Sequence, residues 1–323
     1  MVVITGVGTA VRGLAGPADL LSQDVSRDGD DPVDGLTGRG MRYKDRATKL
    51  ALCAGRDALA DAGLLLDPGL SVPGESVGVV TSTNFGNVDT VCATVSAIAE
   101  HGYTGTSPMM LPATASNVTA SWLAIWFGLR GVNLTLTNGP TSGLDATYWA
   151  RMMIEAGRVR RMLVVGVEPA NEMVEHLAGP MFDGAVALVL ESPDAAAERG
   201  ARPLARLGRY ARRGTHAEAV AAVLPEHPAP VGLWCLPERR PAGADPAAHD
   251  LITPDGAVTR DLSAALGPCS GALGVAQCVA GAAWLRDGGS GTVLASADAR
   301  DAGAATVLVP AARPVLSSAG PDR

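Results

Sequence analysis

The sequence is poor in residues that bind nucleic acids and in segments that cross membranes. Its 323 residues include three Phe, five Trp and four Tyr, and the formal net charge is -7. Few aromatic side chains for base stacking and an acidic balance argue against nucleic acid as a partner. Apolar runs stay below the ~18 residues that a membrane helix needs, so we expect no membrane partner.

Cysteine and histidine are also scarce. The five cysteines form no Cys-x-x-Cys pair, and their odd number is typical of reduced thiols in a cytoplasmic chain. The five histidines share no ligand spacing, so we expect them on the surface or in loops; they are His101, His176, His216, His227 and His249. We predict neither a metal site nor a cofactor.

The composition indicates a globular protein with a large core, because 47% of the residues are hydrophobic and 18% are charged. Runs of β-branched residues alternate with helical patterns, which predicts an α/β fold around a buried sheet. The first run, residues 2–7, is interpreted as a buried strand without a cleavage site, so we expect a cytoplasmic protein.

Strand and helix patterns follow a similar order in two parts of the chain. The predicted strands are 2–7, 77–81, 132–137, 162–167, 185–190, 204–210, 231–236, 292–296 and 305–309, and the predicted helices are 45–62, 87–100, 114–127, 142–156, 216–223 and 270–285. The charged, alanine-rich segment 192–202 is interpreted as a bridge. We therefore predict two similar halves, residues 1–192 and a shorter 193–323.

The segment 137–146 is the most informative motif. Its small residues predict a tight turn between a strand and a helix, which would present a side chain at a helix N-terminus, where backbone amides favour a thiolate. The centre of this turn is Pro140. Proline offers no thiol, hydroxyl or N–H donor, so this position cannot supply a nucleophile for acyl transfer.

Several stretches resemble the β-ketoacyl synthases of fatty acid and polyketide synthesis. The similarity covers most of residues 1–192 and returns at 267–287; its most specific parts are 3–8, 59–64, 106–140, 141–146, 181–185 and 188–191. The resemblance implies the thiolase fold, in which two pseudo-symmetric α/β halves form a five-layer αβαβα sandwich. It also implies dimerisation, edge to edge, through the strand before the turn.

Active members of this family carry a cysteine nucleophile, two histidines and a lysine. By resemblance, the cysteine falls on Pro140, the first histidine near Pro237, the lysine on Ser263 and the second histidine on Pro268. A gating loop of the family falls on 296–301 and has lost its phenylalanine and glycines. None of these catalytic groups remains, so the resemblance implies a vestigial site without catalytic residues.

The chain has lost the catalytic residues and retains the interface segment. In this it resembles the chain length factors, the inactive partner subunits of type II polyketide ketosynthases. The resemblance implies a heterodimer with a catalytic ketosynthase subunit and an acyl carrier protein that delivers the growing chain. In such complexes the inactive subunit sets where the acyl tunnel ends. The expected dimer interface consists of Val132, Asn133, Leu134, Thr135, Leu136, Thr137 and Asn138.

A stripe of valines on the predicted helix 87–100 is the candidate measuring element, because its members recur at helical spacing on one face. Alternatively, valines at this spacing are interpreted as residues of the hydrophobic core. The resemblance places the stripe along the tunnel, and small side chains there would suit a slim, linear, polyene-like product. The expected tunnel residues are Phe85, Val88, Val91, Val95, Met110, Pro112, Thr114 and Ala115.

Two other functions stay open from the sequence. An acyltransferase with an altered nucleophile would need Thr141, Ser142 or Cys269, and a helix N-terminus would lower the pKa of the Cys269 thiol. A scaffold would stabilise the synthase or bind the acyl carrier protein without setting chain length. Docking of an acidic carrier and plain solvation are both compatible with the arginines at 158, 160, 161, 209, 212 and 213.

Overall fold

The strands and helices follow the predicted series closely. The computed structural model describes residues 1–22, 25, 28–66, 69–224, 230–238 and 256–311. The strands are β1 (Val3–Val11), β2 (Leu65–Leu66), β3 (Gly69–Leu70), β4 (Val77–Ser82), β5 (Asn133–Leu136), β6 (Arg161–Glu168), β7 (Gly184–Glu191), β8 (Ala205–Arg213), β9 (Val231–Cys235), β10 (Val258–Arg260), β11 (Thr292–Asp298) and β12 (Gly303–Pro310). The helices are α1 (Arg46–Asp61), α2 (Val88–His101), α3 (Val118–Phe127), α4 (Ser142–Glu155), α5 (Glu172–Ala178), α6 (Pro193–Glu198), α7 (His216–Val223), α8 (Leu262–Leu266) and α9 (Leu273–Arg286). Within these described ranges, no helix has the length and apolar character to cross a membrane.

Ten of the strands form one continuous sheet, which divides into two five-stranded sheets with the same topology. The strand orders are β1-β7-β6-β4-β5 and β8-β12-β11-β9-β10. In each sheet the second strand of this order runs antiparallel to the first and the third. The third, fourth and fifth strands run parallel. The sheets join where β1 pairs with β8, at Val3 with Arg206 and Ile4 with Ala205. This repeat confirms the predicted pseudo-symmetry, while the boundary between 192 and 193 stays a prediction.

The helices lie in three layers around the two sheets. α1 and α3 pack on the outer face of the first sheet, α7 packs on the second, and α4 and α9 lie between them. α4 and α9 approach closely because glycines face each other: a Cβ on Gly274 would lie 2.3 Å from the amide nitrogen of Leu144. The resulting five-layer αβαβα sandwich is the predicted thiolase fold.

Helix α1 shows how the sequence sets these elements. The carboxylate of Asp45 caps the helix by accepting the amide of Thr48 at 2.6 Å. Gly63, with φ of 67°, ends it. On the buried face, β1 comes so close that a Cβ on Gly8 would lie 2.3 Å from the carbonyl oxygen of Ala54. Glycine in β1 therefore permits the helix to pack directly on the sheet.

Several features differ from the sequence predictions, which also did not include the short elements β2, β3, α5, β10 and α8. The helix expected from Thr114 begins at Val118, because residues 111–114 form a separate 3-10 turn that contains Pro112. The expected bridge 192–202 contains α6, which starts at a Ser192 cap followed by proline. His216 was expected on the surface, but it is buried and its ring stacks on Trp234 with centroids 6.5 Å apart.

A buried ion pair corrects the prediction for one of the arginines. The guanidinium of Arg161 donates to Glu191 at 2.8 Å, and both side chains are almost fully buried. Burial raises the pKa of the Glu191 carboxyl, but hydrogen bonds from Arg199 and Thr5 outweigh it and hold that pKa below its usual range. Arg161 therefore stabilises the end of the sheet and is not available to a carrier protein.

Candidate functional site

The turn that carries Pro140 joins a strand to a helix, as the sequence predicts. Residues 139–141 form a 3-10 turn between β5 and α4, and Gly139 has φ of 74°, which favours glycine. The carboxylate of Asp145 accepts hydrogen bonds from the side-chain amide of Asn138 and the hydroxyl of Thr141, both at 2.9 Å. The strand, turn and helix are thus held together around a proline.

Asp145 also connects this turn to the second half of the molecule. Its other oxygen accepts the hydroxyl of Tyr210 on β8, and the ring of Tyr210 stacks on Tyr148 at 4.4 Å between centroids. Burial and the neighbouring Asp145 carboxylate raise the pKa of Tyr210 far above its usual range. Tyr210 is therefore a permanent hydrogen-bond donor to Asp145.

The other vestigial positions lie at the ends of elements in the second half. Pro237 is half-buried just after β9, and Pro268 is exposed between α8 and α9, with its carbonyl accepting the amide of Phe182 at 2.9 Å. Ser263 lies in α8, where its hydroxyl donates to Asp261 at 2.7 Å. Ser263 thus has a structural partner at the start of its helix, and the assignment of these positions to lost catalytic groups stays a prediction.

Asn84, at the end of β4, bridges the two turns that contain Pro140 and Pro268. Its side-chain oxygen accepts the amide of Gly139 at 3.1 Å, and its side-chain nitrogen donates to the Ser270 hydroxyl at 2.8 Å. The two turns also pack against each other. The fold thus brings together the N-termini of the two central helices, as a shared site requires.

A buried carboxylate that the sequence reasoning missed lies beneath this bridge. Glu168, at the end of β6, is fully buried and accepts the amides of Asn84, Phe85 and Gly271 and the hydroxyl of Thr83 at 2.7 to 3.1 Å. Burial raises the pKa of Glu168 to about 7, although these hydrogen bonds oppose the shift. In the sequence, the signal for Glu168 is a charged residue at the end of an apolar strand.

The alternative nucleophiles are poorly placed for attack. Thr141, Ser142 and Cys269 are all fully buried. The Cys269 thiol donates to the carbonyl of Gly267 at 3.2 Å. Burial, followed by the nearby carboxylates of Glu238 and Glu168, raises its pKa well above the usual value. The alternative in which a helix N-terminus lowers the pKa of this thiol is therefore not supported, and the geometry does not favour an altered nucleophile.

None of the eight candidate tunnel residues is fully buried in the single chain. Val95, Pro112 and Ala115 are exposed, and the other five are half-buried. The start of α2 is fixed to the neighbouring loop, because the side chain of Asn87 donates to the carbonyls of residues 113 and 115 at 2.6 and 3.1 Å. A tunnel along this surface would thus need a second wall from another molecule.

A groove of about 440 Å³ runs between α2 and residues 105–110. Its α2 side carries small and polar side chains, and Met110 is the candidate tunnel residue that lines it. The valine stripe lies on a more open part of the helix, where Val95 is 59% exposed. Met110 therefore faces the groove beside α2, whereas the valine stripe lies on another part of the α2 surface.

The expected interface strand lies at the edge of its sheet. β5 pairs with β4 on one side and ends the strand order on the other. Residues 133, 137 and 138 are exposed, and 132 and 134–136 are half-buried. Large apolar side chains are exposed on α3, which packs against β5, and on α2 and the segment 103–111 between the two helices; they are Val95, Ile98, Tyr103, Met109, Leu111, Ile125 and Trp126. We call these seven residues the apolar face.

Comparison with known sequences identifies the family. Residues 12–185 match the family model "Beta-ketoacyl synthase, N-terminal domain", and the chain belongs to this family. It is 30% identical over 247 residues to "Putative polyketide beta-ketoacyl synthase 1" of Streptomyces halstedii, covering 65% of this chain and 58% of that protein. It is 28% identical over 211 residues to "3-oxoacyl-(acyl-carrier-protein) synthase 2" of Vibrio harveyi, covering 57% of this chain and 50% of that protein. The aligned part is thus about half the length of these relatives.

Solved structures with the same fold include two that contain a ketosynthase. One is "The ishigamide ketosynthase/chain length factor", with a TM-score of 0.77 and 24% identity over 96% of this chain and 99% of that chain. The other is a type II acyl-carrier protein in complex with its ketosynthase, with a TM-score of 0.77 and 18% identity over the same shares. At these identities the comparison establishes the thiolase fold.

Proposed function

We propose that this chain is the non-catalytic partner subunit of a β-ketoacyl synthase and acts as a chain length factor in type II polyketide synthesis. It forms a heterodimer with a catalytic ketosynthase and closes one side of the acyl tunnel. The ketosynthase supplies the thiol and the histidines, and the acyl carrier protein delivers the growing chain. The product is a linear chain of the polyene-like kind.

The observation that carries this proposal is the apolar face, which reaches β5 through α3, together with a strand edge that no other described strand covers. Monomeric proteins rarely expose many large apolar side chains together, and open strand edges invite pairing with another chain. Ile125 and Met109 are 68% and 69% exposed, respectively. A partner with the same fold would pair with β5 and cover this face.

The partly exposed tunnel candidates support the same proposal. A surface that lines a tunnel at a subunit boundary is open in either subunit alone and buried only in the complex. Phe85, Val88 and Val91 are half-buried in the single chain, and Val95 is exposed. The ketosynthase would supply the opposite wall, so a larger side chain at Val95 would shorten the space that the acyl chain fills.

The acyl carrier protein is the third component of the proposed assembly. Arg212 and Arg213, at the end of β8, are exposed, and Arg212 also lies 4.0 Å from the carboxylate of Asp145. Carrier proteins of this system are expected to be acidic, so these arginines are the candidate docking residues on this chain. Arg161 is excluded from that role by its buried ion pair with Glu191.

Co-expression with the ketosynthase encoded beside this chain, followed by size-exclusion chromatography, tests the partner role. Wild-type chain should co-elute with the ketosynthase. Ile125→Glu should weaken the complex about tenfold or more, because it buries an unpaired charge in the interface. Leu66→Glu is the matched control: Leu66 is 60% exposed in the β2–β3 hairpin, outside the apolar face. Equal behaviour of the two variants would place the interface elsewhere.

A scaffold that does not measure the acyl chain would bind the same partner through the same face. The two roles differ in the product. Substitution at Val95 changes the length of the product if the chain measures it, and changes only the yield if the chain is a scaffold. Product analysis by mass spectrometry of the reconstituted complex separates them.

A further inference from the structure

Three consecutive amides at the start of the second central helix form an anion-binding concavity. Cys269 is right-handed, with φ of -94° and ψ of -13°, and Ser270 is left-handed, with φ of 46°. This succession turns the amides of residues 269–271 toward one side, an arrangement called a nest. Within the described residues, Ser270 is the one non-glycine residue with positive φ. The unfavourable conformation of Ser270 is part of the geometry that forms the nest.

Two carboxylates of the chain itself fill this nest. One oxygen of Glu238 accepts the amides of Cys269 and Ser270 at 2.6 and 2.9 Å. Glu168 accepts the amide of Gly271 at 3.0 Å. Burial raises the pKa of Glu238, and the two amides oppose this by stabilising its charged form. The nest therefore holds a bound carboxylate that comes from a distant part of the sequence.

We propose that Glu238 is an internal plug whose carboxylate occupies the nest in place of an external carboxylate and keeps small anions out of it. The excluded class includes the carboxylate of a malonyl group. A chain that cannot transfer acyl groups would otherwise hold such a group without turnover. The plug needs no partner subunit and does not depend on the proposed heterodimer.

The surroundings of Glu238 fit this role. Glu238 follows Pro237 directly, and the nest begins directly after Pro268, so the plug joins two of the vestigial positions. Glu168 contributes a second carboxylate to the same run of amides. A further anion would find all three amides already bonded, which disfavours its entry.

Chemical rescue tests the plug. Glu238→Ala in the full chain removes the carboxylate and leaves space in the nest. Its melting temperature in chloride should fall by about 2–6 °C, because buried amides lose their acceptor. Acetate at the same ionic strength should restore at least half of that loss, and acetamide should not, because acetate alone supplies a charged acceptor.

Two variants serve as controls. Glu238→Gln fills the space with a neutral side chain, so it should lower the melting temperature without rescue by acetate. Glu175→Ala removes an exposed glutamate on α5 and should respond to neither solute. Rescue restricted to Glu238→Ala supports the plug.

The contradicting results are equally clear. Acetate that raises the melting temperatures of wild type and Glu238→Ala by the same amount, or acetamide that restores as much as acetate, would overturn the plug. If Glu238→Ala does not fold in chloride, its folded yield after dilution from urea into acetate or acetamide decides in the same way. Because the assay contains no ketosynthase, failure of the partner proposal and failure of the plug are separate outcomes.

Discussion

Asp145→Asn tests how the turn at Pro140 is held between the two halves of the fold. One oxygen of Asp145 accepts Asn138 and Thr141 at 2.9 Å, and the other accepts Tyr210. Asparagine has one acceptor oxygen, and facing Asn138 and Thr141 it keeps two of the three bonds, so the bond from Tyr210 is the one lost. A hydrogen bond to a charged group contributes about 1.5–3 kcal/mol, so we expect a loss of about 1.5–3 kcal/mol in the free energy of unfolding.

A double-mutant cycle with Tyr210→Phe makes this reasoning specific. Tyr210→Phe removes one bond and should cost about 1.5–3 kcal/mol. The double variant should lose less than the sum, because both single changes remove the same bond. Urea denaturation of the full chain, followed by circular dichroism, measures all three values. Tyr148→Phe is the control, because it keeps the aromatic stack on Tyr210 and should cost below about 0.5 kcal/mol. An Asp145→Asn cost below about 0.5 kcal/mol, or strict additivity, would refute the reasoning.

Three further predictions concern packing, pH and product length. Gly274→Ala should destabilise the fold by about 1–3 kcal/mol in urea denaturation, because its Cβ would lie 2.3 Å from the amide nitrogen of Leu144. Since the pKa of Glu168 is raised from 4.5 to about 7 in the folded state, its contribution to stability is greatest below pH 4.5 and is lost as pH rises to 7; the stability difference between wild type and Glu168→Gln should shrink over that range. In the reconstituted complex, Val91→Phe or Val95→Phe should shorten the product by mass spectrometry, and unchanged length would exclude the valine stripe as the measuring element.

The sequence predicted the order of elements well, because local signals mark their ends. Asp45 and Gly63 bound α1, and apolar runs mark β4, β6 and β7. The start of α3 was misplaced because residues before Val118 form a 3-10 turn with similar composition. Helix α6 was missed because the composition of its segment indicated a bridge. Ser192 followed by proline is nevertheless a signal for the start of a helix.

The polar core of the vestigial site was not predictable in the same way. The prediction that Pro140 replaces a nucleophile rests on one local motif. Glu168 and Glu238, in contrast, bind backbone amides that lie 103 and 31 residues away in the chain, and amides have no sequence signature. The buried state of Arg161 likewise depends on Glu191, which pairs with it across adjacent strands. Such contacts follow from topology and register, which local patterns do not specify.

Acyl loading of the reconstituted complex tests the central claim most directly. The chain and its ketosynthase partner would be incubated with acyl-loaded and malonyl-loaded carrier protein, and each subunit would then be analysed by intact-protein mass spectrometry alongside the products. The account predicts an acyl adduct on the ketosynthase alone, and elongation only when both subunits are present. A covalent acyl adduct on this chain, or elongation by this chain without the ketosynthase, would contradict it.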